Sequence, residues 1–375
     1  MGQRINTRLR AGGNAGGIAF DFLASGLDPR ITFTRASAGW YFNSAGNLTQ
    51  AATDAPRFDY DPATLAARGL LTEGARTNIA LHSRDFTQAT WVKTNITAAL
   101  DVTGIDGAAN TASRLTATAA NGTALQTITS ASATHVSSFF ARRITGTGTV
   151  EITQDNGASW TAITLTSAWQ RFNVAAATVA NPVIGFRLVT SGDVIAVDVA
   201  QCEVGTFATS PIITGAASVT RAAETGTANL TIGPEFSLLL EFVTVARFSV
   251  GGATNHSTQL NDGTFNNVFS LSQRATPSST MNLVVAVSGV NTNLTTDVLN
   301  LGVVQKQIGA YSGGNVASVA NGGTVRTATG LTLPAMTQLR FASSGGGGAN
   351  SITYLRRIVI YPTSLSNSVL QALTA

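Results

Sequence analysis

The residues best suited to chemistry are two aspartates that alternate around a tyrosine. Asp59 and Asp61 flank Tyr60, and in an extended chain this spacing puts both carboxylates on one face of the backbone. Glycoside hydrolysis uses two carboxylates that face a sugar at a separation of about 5 to 9.5 Å. The flanking prolines Pro56 and Pro62 instead favour a structural turn. The spacing therefore permits hydrolysis but favours a non-catalytic role.

The sequence shows no other catalytic or metal-binding signature. It has no Cys-x-x-Cys or His-x-x-x-His spacing, and no Gly-x-Ser-x-Gly elbow supports a serine nucleophile. The three histidines are far apart: His82, His135 and His256. Two aspartate pairs come nearest to a calcium cluster: Asp101 with Asp106, and Asp193 with Asp198. Neither pair forms an EF-hand loop, so we predict no cofactor, no metal site and no catalytic residue, with a structural Ca²⁺ in an irregular loop as an open alternative.

The composition is typical of a chemically quiet, β-rich protein. The chain has 375 residues, of which 11% are charged and 44% hydrophobic, and 37 are glycine. This length predicts two or three domains with hydrophobic cores, and the low charge is unlike that of disordered chains. The net charge is only +4, and Lys93 and Lys306 are the two lysines among 23 basic residues. Because no long basic run is present, we predict no nucleic-acid binding.

Cysteine usage and hydropathy bear on the compartment. Cys202 is the single cysteine, which excludes an intrachain disulfide. Adhesins exported through an oxidising compartment are more often stabilised by disulfide bonds. The N-terminal stretch lacks the apolar segment of a signal peptide. The longest strongly apolar run, Phe236 to Ala246, contains Glu241 and is too short to span a bilayer. We therefore expect a soluble protein assembled in a reducing cytoplasm, without membrane insertion.

Two units of short strands are predicted after residue 84. Alternating patterns and an Asp-Asn-Gly hairpin predict about eight strands over residues 85–212, which indicates a β-sandwich or jelly roll. Trp160 follows the hairpin and could present its ring at a rim, whereas Trp169 begins a strand and is expected in the core. Residues 213–235 form a Gly/Ala/Thr linker. A second all-β unit over residues 236–375 ends in a short helix, with Ser366 as its predicted cap.

The first 26 residues are predicted to form a separate arm. Arg4, Arg8 and Arg10 precede four glycines, and no acidic residue occurs before Asp21. A glycine-rich arm is costly to order on its own. We therefore predict that it docks into a larger particle, where the three arginines meet acidic partner surface; packing along its own domain is the alternative.

Residues 27–84 contain four blocks in one order: LDPRITFTRAS from Leu27, PRFDYDP from Pro56, GLL from Gly69 and ARTN from Ala75. Through these blocks the segment resembles a connector found near the start of bacteriophage head-spike, head-fibre and tail-fibre proteins. The resemblance implies an extended, loop-rich structural segment whose charged residues are Arg35, Arg57, Asp59, Asp61, Glu73 and Arg76. We expect its arginines to satisfy buried carbonyls and carboxylates rather than a ligand. The family usually carries two adjacent acids where this chain has Glu73-Gly74, so one ion pair is in doubt.

The two later units also resemble modules of phage fibres. Residues 85–212 resemble a carbohydrate-binding-like jelly roll, through NGASW at Asn156, WQRF at Trp169 and the run from Ala200 to Pro211. Residues 236–375 resemble a concanavalin-like (laminin-G-like) sandwich, through LLLEF at Leu238, the hairpin from Val316 to Gly323, and the strand and helix from Tyr354 to Leu373. Because sugar rings stack on aromatic side chains, the candidate glycan contacts are Trp160, Phe265 and Tyr311, the last two taken as loop aromatics.

These observations predict an all-β protein with two jelly-roll or β-sandwich modules behind an N-terminal anchor and connector. The predicted function is that of a non-enzymatic phage virion protein, a head spike, head fibre or tail fibre that adheres to host-surface glycans. The resemblance to fibre and spike proteins implies that its partners are other virion proteins, host polysaccharide and copies of itself, most often in a symmetric trimer. One alternative is a capsid decoration protein without host contact, and a second is a polysaccharide depolymerase.

Overall fold

The computed structural model describes residues 17–247, 254–274, 279–344, 347–348 and 351–375. Nearly all regular structure in these residues is β, with one short helix, which confirms the predicted all-β sandwich class. The strand pairs within the sheets are antiparallel. Arg4, Arg8 and Arg10 lie outside the described residues, so their attachment role stays a prediction. No helix in the described ranges is long and apolar enough to cross a membrane.

Strands occur along the whole described part of the chain. The first nine are β1 (Ile18–Asp21), β2 (Thr32–Thr34), β3 (Gly39–Phe42), β4 (Leu48–Ala51), β5 (Phe58–Tyr60), β6 (Ala67–Glu73), β7 (Arg76–Asn78), β8 (Val92–Thr94) and β9 (Ile96–Val102). The next nine are β10 (Ala112–Ala117), β11 (Gly122–Thr127), β12 (Ala133–Thr145), β13 (Val150–Thr153), β14 (Thr161–Ile163), β15 (Gln170–Asn173), β16 (Ala177–Val179), β17 (Val183–Leu188) and β18 (Val194–Val204). Then follow β19 (Val219–Arg221), β20 (Thr225–Asn229), β21 (Glu235–Arg247), β22 (Thr254–Asn261), β23 (Val268–Arg274), β24 (Thr280–Val287) and β25 (Val290–Val298). The last are β26 (Val304–Ser312), β27 (Asn315–Ala320), β28 (Arg326–Ala328), β29 (Gln338–Ser344), β30 (Gly347–Gly348) and β31 (Ser351–Tyr361), and the helix is α1 (Asn367–Thr374).

The first sandwich packs a six-stranded sheet against a five-stranded sheet. The first has the order β15-β12-β18-β10-β9 with β16 beside β12, and the second has the order β14-β13-β17-β11-β8. Strand β17 alternates, so that Ile184, Phe186 and Leu188 all face the core and are fully buried. Phe186 meets Phe139 at a ring-centroid distance of 4.7 Å. This alternation is the pattern from which the sequence predicts a sandwich.

The second sandwich packs two eight-stranded sheets around a larger core. One sheet has the order β28-β27-β26-β21-β31-β6-β5 with β1 beside β31, and the other has the order β2-β20-β29-β22-β23-β24-β25 with β30 beside β29. Leu238, Leu240 and Phe242 of β21 face this core. Leu239 points the other way and packs with Leu370 of α1, so the strand is apolar on both faces.

The connector and the linker contribute strands to these sheets. Strands β5 and β6 join the first sheet of the second sandwich, and β2 pairs with β20 from the segment predicted as a linker. A further pair joins β7 to β19. Except for β6 these strands are short, and except for the β5–β6 pair their partners are distant in sequence, so the local pattern indicates loops there. The domain boundaries proposed at residues 84, 212 and 235 stay predictions.

The C-terminal helix α1 begins after Ser366, as predicted. Ser366 has the extended backbone of an N-cap residue, with φ −67° and ψ 155°, but its hydroxyl makes no capping hydrogen bond. The helix is held instead by Leu370, which is fully buried, and by Leu365 and Leu373 beside it.

Candidate functional site

A cleft of about 720 Å³ lies where the connector meets both sandwiches. The β3–β4 hairpin and strands β5 and β6 form one part of its lining. The first sandwich contributes the residues around β15 and the segment that follows β18, and the second sandwich contributes Val245, Ile352 and Tyr354. Because the site is assembled from three parts of the chain, no single motif in the sequence predicts it.

Four aromatic residues of the connector and the first sandwich line the cleft. Tyr41 and Phe42 come from β3, Phe140 from β12, and Trp169 lies immediately before β15. Phe42 meets Phe140 edge to face at a centroid distance of 6.1 Å. Trp169 is half-buried, and the guanidinium of Arg142 lies 5.2 Å from its ring centroid. The prediction that Trp169 belongs to the core is therefore only partly right, because it also lines the cleft.

The two aspartates that the sequence nominates for hydrolysis both line the cleft. Asp59 is buried, and its carboxylate accepts hydrogen bonds from the Phe42 N–H at 2.7 Å and the Tyr354 hydroxyl at 2.9 Å. Arg68 joins both aspartates, through Nη1 to Asp59 at 3.4 Å and Nη2 to Asp61 at 2.8 Å. The other oxygen of Asp61 caps the turn after β5, where it accepts two backbone N–H groups. Both carboxylates are thus bound within the protein.

The environments of these two aspartates shift their pKa values in opposite directions. Burial raises the pKa of Asp59, although the backbone N–H of Phe42 and the charge of Arg68 favour its ionised form. The backbone N–H of Thr64 lowers the pKa of Asp61, against the opposing effect of burial. Burial also raises the pKa of Tyr354, so its hydroxyl stays protonated and serves as a donor to Asp59.

A buried ionic cluster lies next to the cleft floor and consists of Arg35, Arg57, Glu73, Arg221 and Glu224. Glu224 accepts from Arg35 at 3.0 Å and from both Nε and Nη2 of Arg57, at 2.8 and 2.7 Å. Glu73 accepts from Arg57 at 2.8 Å and lies 3.0 Å from Nη1 of Arg221. Paired, fully hydrogen-bonded charges are the condition for burying such groups. Arg35, Arg57 and Glu73 are thus paired within the cluster, and their structural role stays a prediction.

Ser210 connects this cluster to the cleft. Its N–H and hydroxyl donate to the two carboxylate oxygens of Glu73 at 2.9 and 2.5 Å, and its oxygen accepts from Arg57 and Arg221. The backbone carbonyl of Gly74 accepts a hydrogen bond from Nη2 of Arg221 at 2.6 Å.

Arg76 lies apart from the five clustered residues. It is half-buried, and its guanidinium lies 5.3 Å from the ring centroid of Phe207. Burial lowers the pKa of Arg76, with the charge of Glu203 as the main opposing influence. Arg76 is not among the residues that line the cleft, and its structural role stays a prediction.

Sequence reasoning missed five residues of this region. Arg221 and Glu224 complete the cluster, and Arg171, Ser210 and Tyr354 line the cleft. The signal for the first two was present, because they stand alone as a charged pair in an otherwise uncharged stretch from residue 212 to residue 231. The other three lie in the sequence blocks that carry the module resemblances, but nothing in those blocks indicates that their side chains meet in one cleft.

The predicted glycan contacts do not lie in the cleft. Tyr311 is 6% exposed, stacks on Phe236 in the core, and accepts the N–H of Leu333 with its hydroxyl. The prediction that Tyr311 is a loop aromatic is wrong, because it belongs to β26 and faces inward by strand alternation. Its ring is therefore not available to a ligand.

Trp160 and Phe265 lie near the surface and are each covered by an arginine. Trp160 is half-buried, with the guanidinium of Arg187 at 4.4 Å from its ring centroid. Phe265 is 48% exposed and has Arg340 at 5.0 Å. Each ring thus keeps some free surface, and the proposed sugar contacts of these two residues stay predictions.

The aspartate pairs considered for calcium are bound to arginines. Arg84 bridges Asp106 at 2.6 Å and Asp198 at 2.8 Å, and Arg143 pairs with Asp193 at 2.9 Å. Asp101 pairs with Arg114. Within the described residues, no group of three or more His, Cys, Asp or Glu side chains could hold a metal ion.

Comparisons with known proteins give weak structural similarities. No protein-family model matches the chain. No curated protein matches it either. The NanB sialidase of Streptococcus pneumoniae is 11% identical with a TM-score of 0.30, over 39% of this chain and 26% of the sialidase, so the match spans about a quarter of that enzyme.

Two smaller proteins give similar values. The SAP-like pentraxin of Limulus polyphemus is 15% identical with a TM-score of 0.31, over 39% of this chain and 72% of the pentraxin. The CBM40 module of the Ruminococcus gnavus IT-sialidase, solved with α2,3-sialyllactose, is 14% identical with a TM-score of 0.31, over 38% of this chain and 84% of the module. At these TM-scores the similarities establish neither a family nor a ligand.

Proposed function

We propose that this chain is a non-enzymatic structural protein of a bacteriophage virion, a head spike, head fibre or tail fibre that adheres to host-surface glycans. The observation that carries the adhesive role is the cleft of about 720 Å³, which combines aromatic rings with fixed polar groups. Ligand sites are typically clefts of about 300–1,000 Å³ with this mixture of lining residues.

The lining of the cleft suits a sugar. The half-buried rings of Tyr41 and Trp169 offer surface for the C–H faces of a pyranose, and Asn47 and Gln170 offer amides at the rim. Wet, polar contacts of this kind are individually weak. Affinity for a cell surface would then come from many copies on one particle.

The bonding of the carboxylates supports a binding role over a catalytic one. A general acid must be free to give its proton to the leaving oxygen, and a base must be free to reach a water molecule. The lining acids Asp59, Asp61 and Glu73 instead accept hydrogen bonds from arginines, hydroxyls or backbone N–H groups. In this arrangement they hold the cleft walls in place.

The virion assignment is supported by the connector. Its four sequence blocks resemble those of phage spike and fibre proteins, and three of its charged residues, Arg35, Arg57 and Glu73, belong to the buried cluster. The proposed partners are other virion proteins through the N-terminal arm, host polysaccharide through the cleft, and further copies of the chain, a trimer being favoured.

Adsorption measurements test the adhesive role. Particles that carry Trp169→Ala or Tyr41→Ala should assemble normally but adsorb to host cells at least tenfold more slowly, because each change removes a stacking surface from the cleft. Val290→Ala changes an exposed apolar side chain outside the cleft, serves as the control, and should leave adsorption within about twofold. Unchanged adsorption by intact particles of both cleft variants would contradict the role and favour a capsid decoration protein.

A polysaccharide depolymerase is the second candidate, because Asp59 and Asp61 share the cleft and have pKa values shifted in opposite directions. Such divergent shifts occur in acid–base pairs. Incubating the purified protein with host polysaccharide and assaying new reducing ends separates the two functions. We expect none. Production of reducing ends that the double variant Asp59→Asn, Asp61→Asn abolishes would establish the enzyme instead.

A further inference from the structure

Arg171 is the cation of the cleft that has no acidic partner among the described residues. It belongs to β15, and its guanidinium donates through Nη1 to the Thr209 carbonyl at 2.6 Å and through Nη2 to the Ser138 hydroxyl at 2.8 Å. Both acceptors are neutral. Its Nε has no hydrogen-bond partner in the described part of the chain. Its guanidinium carbon lies 5.5 Å from the ring centroid of Phe140.

The other charged groups that line the cleft are paired. Arg68 contacts Asp59 and Asp61, and Glu73 is bound by the ionic cluster and by Ser210. Over the ranges that the structure describes, no carboxylate forms an ion pair with Arg171, whereas Arg68 has two. The asymmetry leaves one positive charge of the cleft lining without direct compensation.

Glu203 is the carboxylate with the strongest electrostatic influence on Arg171, but it does not contact it. Its two oxygens accept the N–H of Thr209 at 2.8 Å and the Thr209 hydroxyl at 2.5 Å. Thr209 therefore stands between the two charges, giving its carbonyl to the arginine and its donors to the acid. Burial lowers the pKa of Arg171, and the charge of Glu203 opposes this at a distance.

The position of Arg171 relative to Trp169 suits a ring that carries a carboxylate. Residues two apart along an extended segment project on the same face and lie about 6.6 Å apart. Both side chains line the cleft. A pyranose stacked on Trp169 would thus bring an exocyclic carboxylate within reach of the guanidinium, whose planar fork matches a carboxylate.

We infer that the cleft selects an acidic sugar, a uronic acid or another carboxylated monosaccharide of the host surface, whose carboxylate pairs with Arg171. This inference rests on the proposed glycan-binding function and names the class of sugar that it serves. A sugar carboxylate at this position would compensate the charge of Arg171, which has no carboxylate partner among the described residues.

The test uses an array of purified bacterial capsular and O-antigen polysaccharides. Each is printed intact and after chemical reduction of its uronic acids to the corresponding neutral hexoses. The purified full-length protein is applied as wild type, Arg171→Gln, Arg171→Lys and Arg114→Gln. Arg114 forms a surface ion pair with Asp101 outside the cleft and serves as the control. Thermal unfolding of each variant checks that it is folded.

Wild type should bind intact acidic polysaccharides and lose at least tenfold in affinity for their reduced forms. Arg171→Gln should bind the intact polysaccharides with an affinity reduced by a similar factor, and it should bind the reduced forms no more weakly than the intact ones. Arg171→Lys should lose less affinity because it keeps the charge. Binding to intact acidic chains should also weaken as NaCl rises, since ion pairs at a partly exposed site are screened.

Two outcomes would overturn the inference, and they differ in meaning. Equal binding of intact and reduced polysaccharides by wild type, or full binding by a folded Arg171→Gln variant, would remove the acidic-sugar assignment and leave the glycan-binding function standing. Absence of binding to every polysaccharide on the array would overturn the glycan-binding function, and the assignment with it.

Discussion

The buried ionic cluster makes a strong prediction about stability, tested by replacing Glu224 with glutamine. Glu224 is fully buried and accepts four hydrogen bonds, three from the guanidinium groups of Arg35 and Arg57 and one from the N–H of Glu73. The substitution keeps the shape of the side chain but removes its charge. It also turns one accepting oxygen into a donating NH₂ group that faces arginine donors.

The expected cost follows from the remaining charges. In the wild type three arginines face two glutamates, and in Glu224→Gln the same arginines face Glu73 alone. Breaking a buried charge pair by removing one partner costs about 3–5 kcal/mol. Because whole domains are stable by only about 5–15 kcal/mol, this is a large fraction of the free energy of unfolding.

Urea unfolding, followed by tryptophan fluorescence and circular dichroism, measures the effect. Glu241→Gln is the matched control, because Glu241 forms a single, partly exposed ion pair with Arg356 at 3.0 Å. Such surface pairs contribute about 0–1 kcal/mol. If Glu224→Gln lowers the free energy of unfolding by no more than Glu241→Gln does, then charge pairing does not hold the connector in place, and our account of the cluster is refuted.

Three further predictions concern single residues. Burial alone would raise the pKa of Glu73, but the cluster arginines hold this pKa at about 2, below the ordinary 4.5. The charged form of Glu73 therefore stabilises the fold fully above pH 4.5, and this contribution to stability is lost as the pH falls toward 2. Glu73→Gln should therefore flatten the acid limb of stability against pH in urea titrations, and an unchanged limb would count against this. Gly69→Ala should lower the free energy of unfolding by about 1–3 kcal/mol, measured with urea. Gly69 has φ +118°, and an added Cβ would lie 2.2 Å from the Leu355 carbonyl oxygen. A neutral effect would show that β6 can shift. Tyr311→Phe should lower the free energy of unfolding by about 1–3 kcal/mol, because it leaves the buried N–H of Leu333 without its acceptor. The same change should not alter glycan binding. Loss of binding without loss of stability would instead support Tyr311 as a glycan contact.

The sequence predicts the fold class well because strand alternation is a local signal. Ile184, Phe186 and Leu188 alternate with smaller or polar neighbours, and this pattern is visible in one window of the chain. Tyr311 shows the limit of the same reasoning. It lies near the end of β26, and only the register of that strand decides that its ring faces the core.

The candidate site was less predictable because it depends on contacts between distant residues. Tyr354 and Asp59 are 295 positions apart and share a hydrogen bond of 2.9 Å. Arg57 and Glu224 are 167 positions apart. No local pattern specifies such pairs, although isolated charges in an uncharged stretch, such as Arg221 and Glu224, are a signal that buried partners exist.

The position of β31 between β21 and β6 determines the order of events during translation. A chain that leaves the ribosome N-terminus first exposes β1, β5 and β6 long before their neighbour, Ser351–Tyr361, has been made. The strands of residues 92–204 can meanwhile close into the first sandwich, since all their partners have already emerged. Until β31 has been made, the early strands have unpaired edges and Leu70 and Leu71 are exposed. Such a state is prone to aggregation. A premature stop before residue 351 would therefore release a nascent product whose earliest strands never find their neighbour.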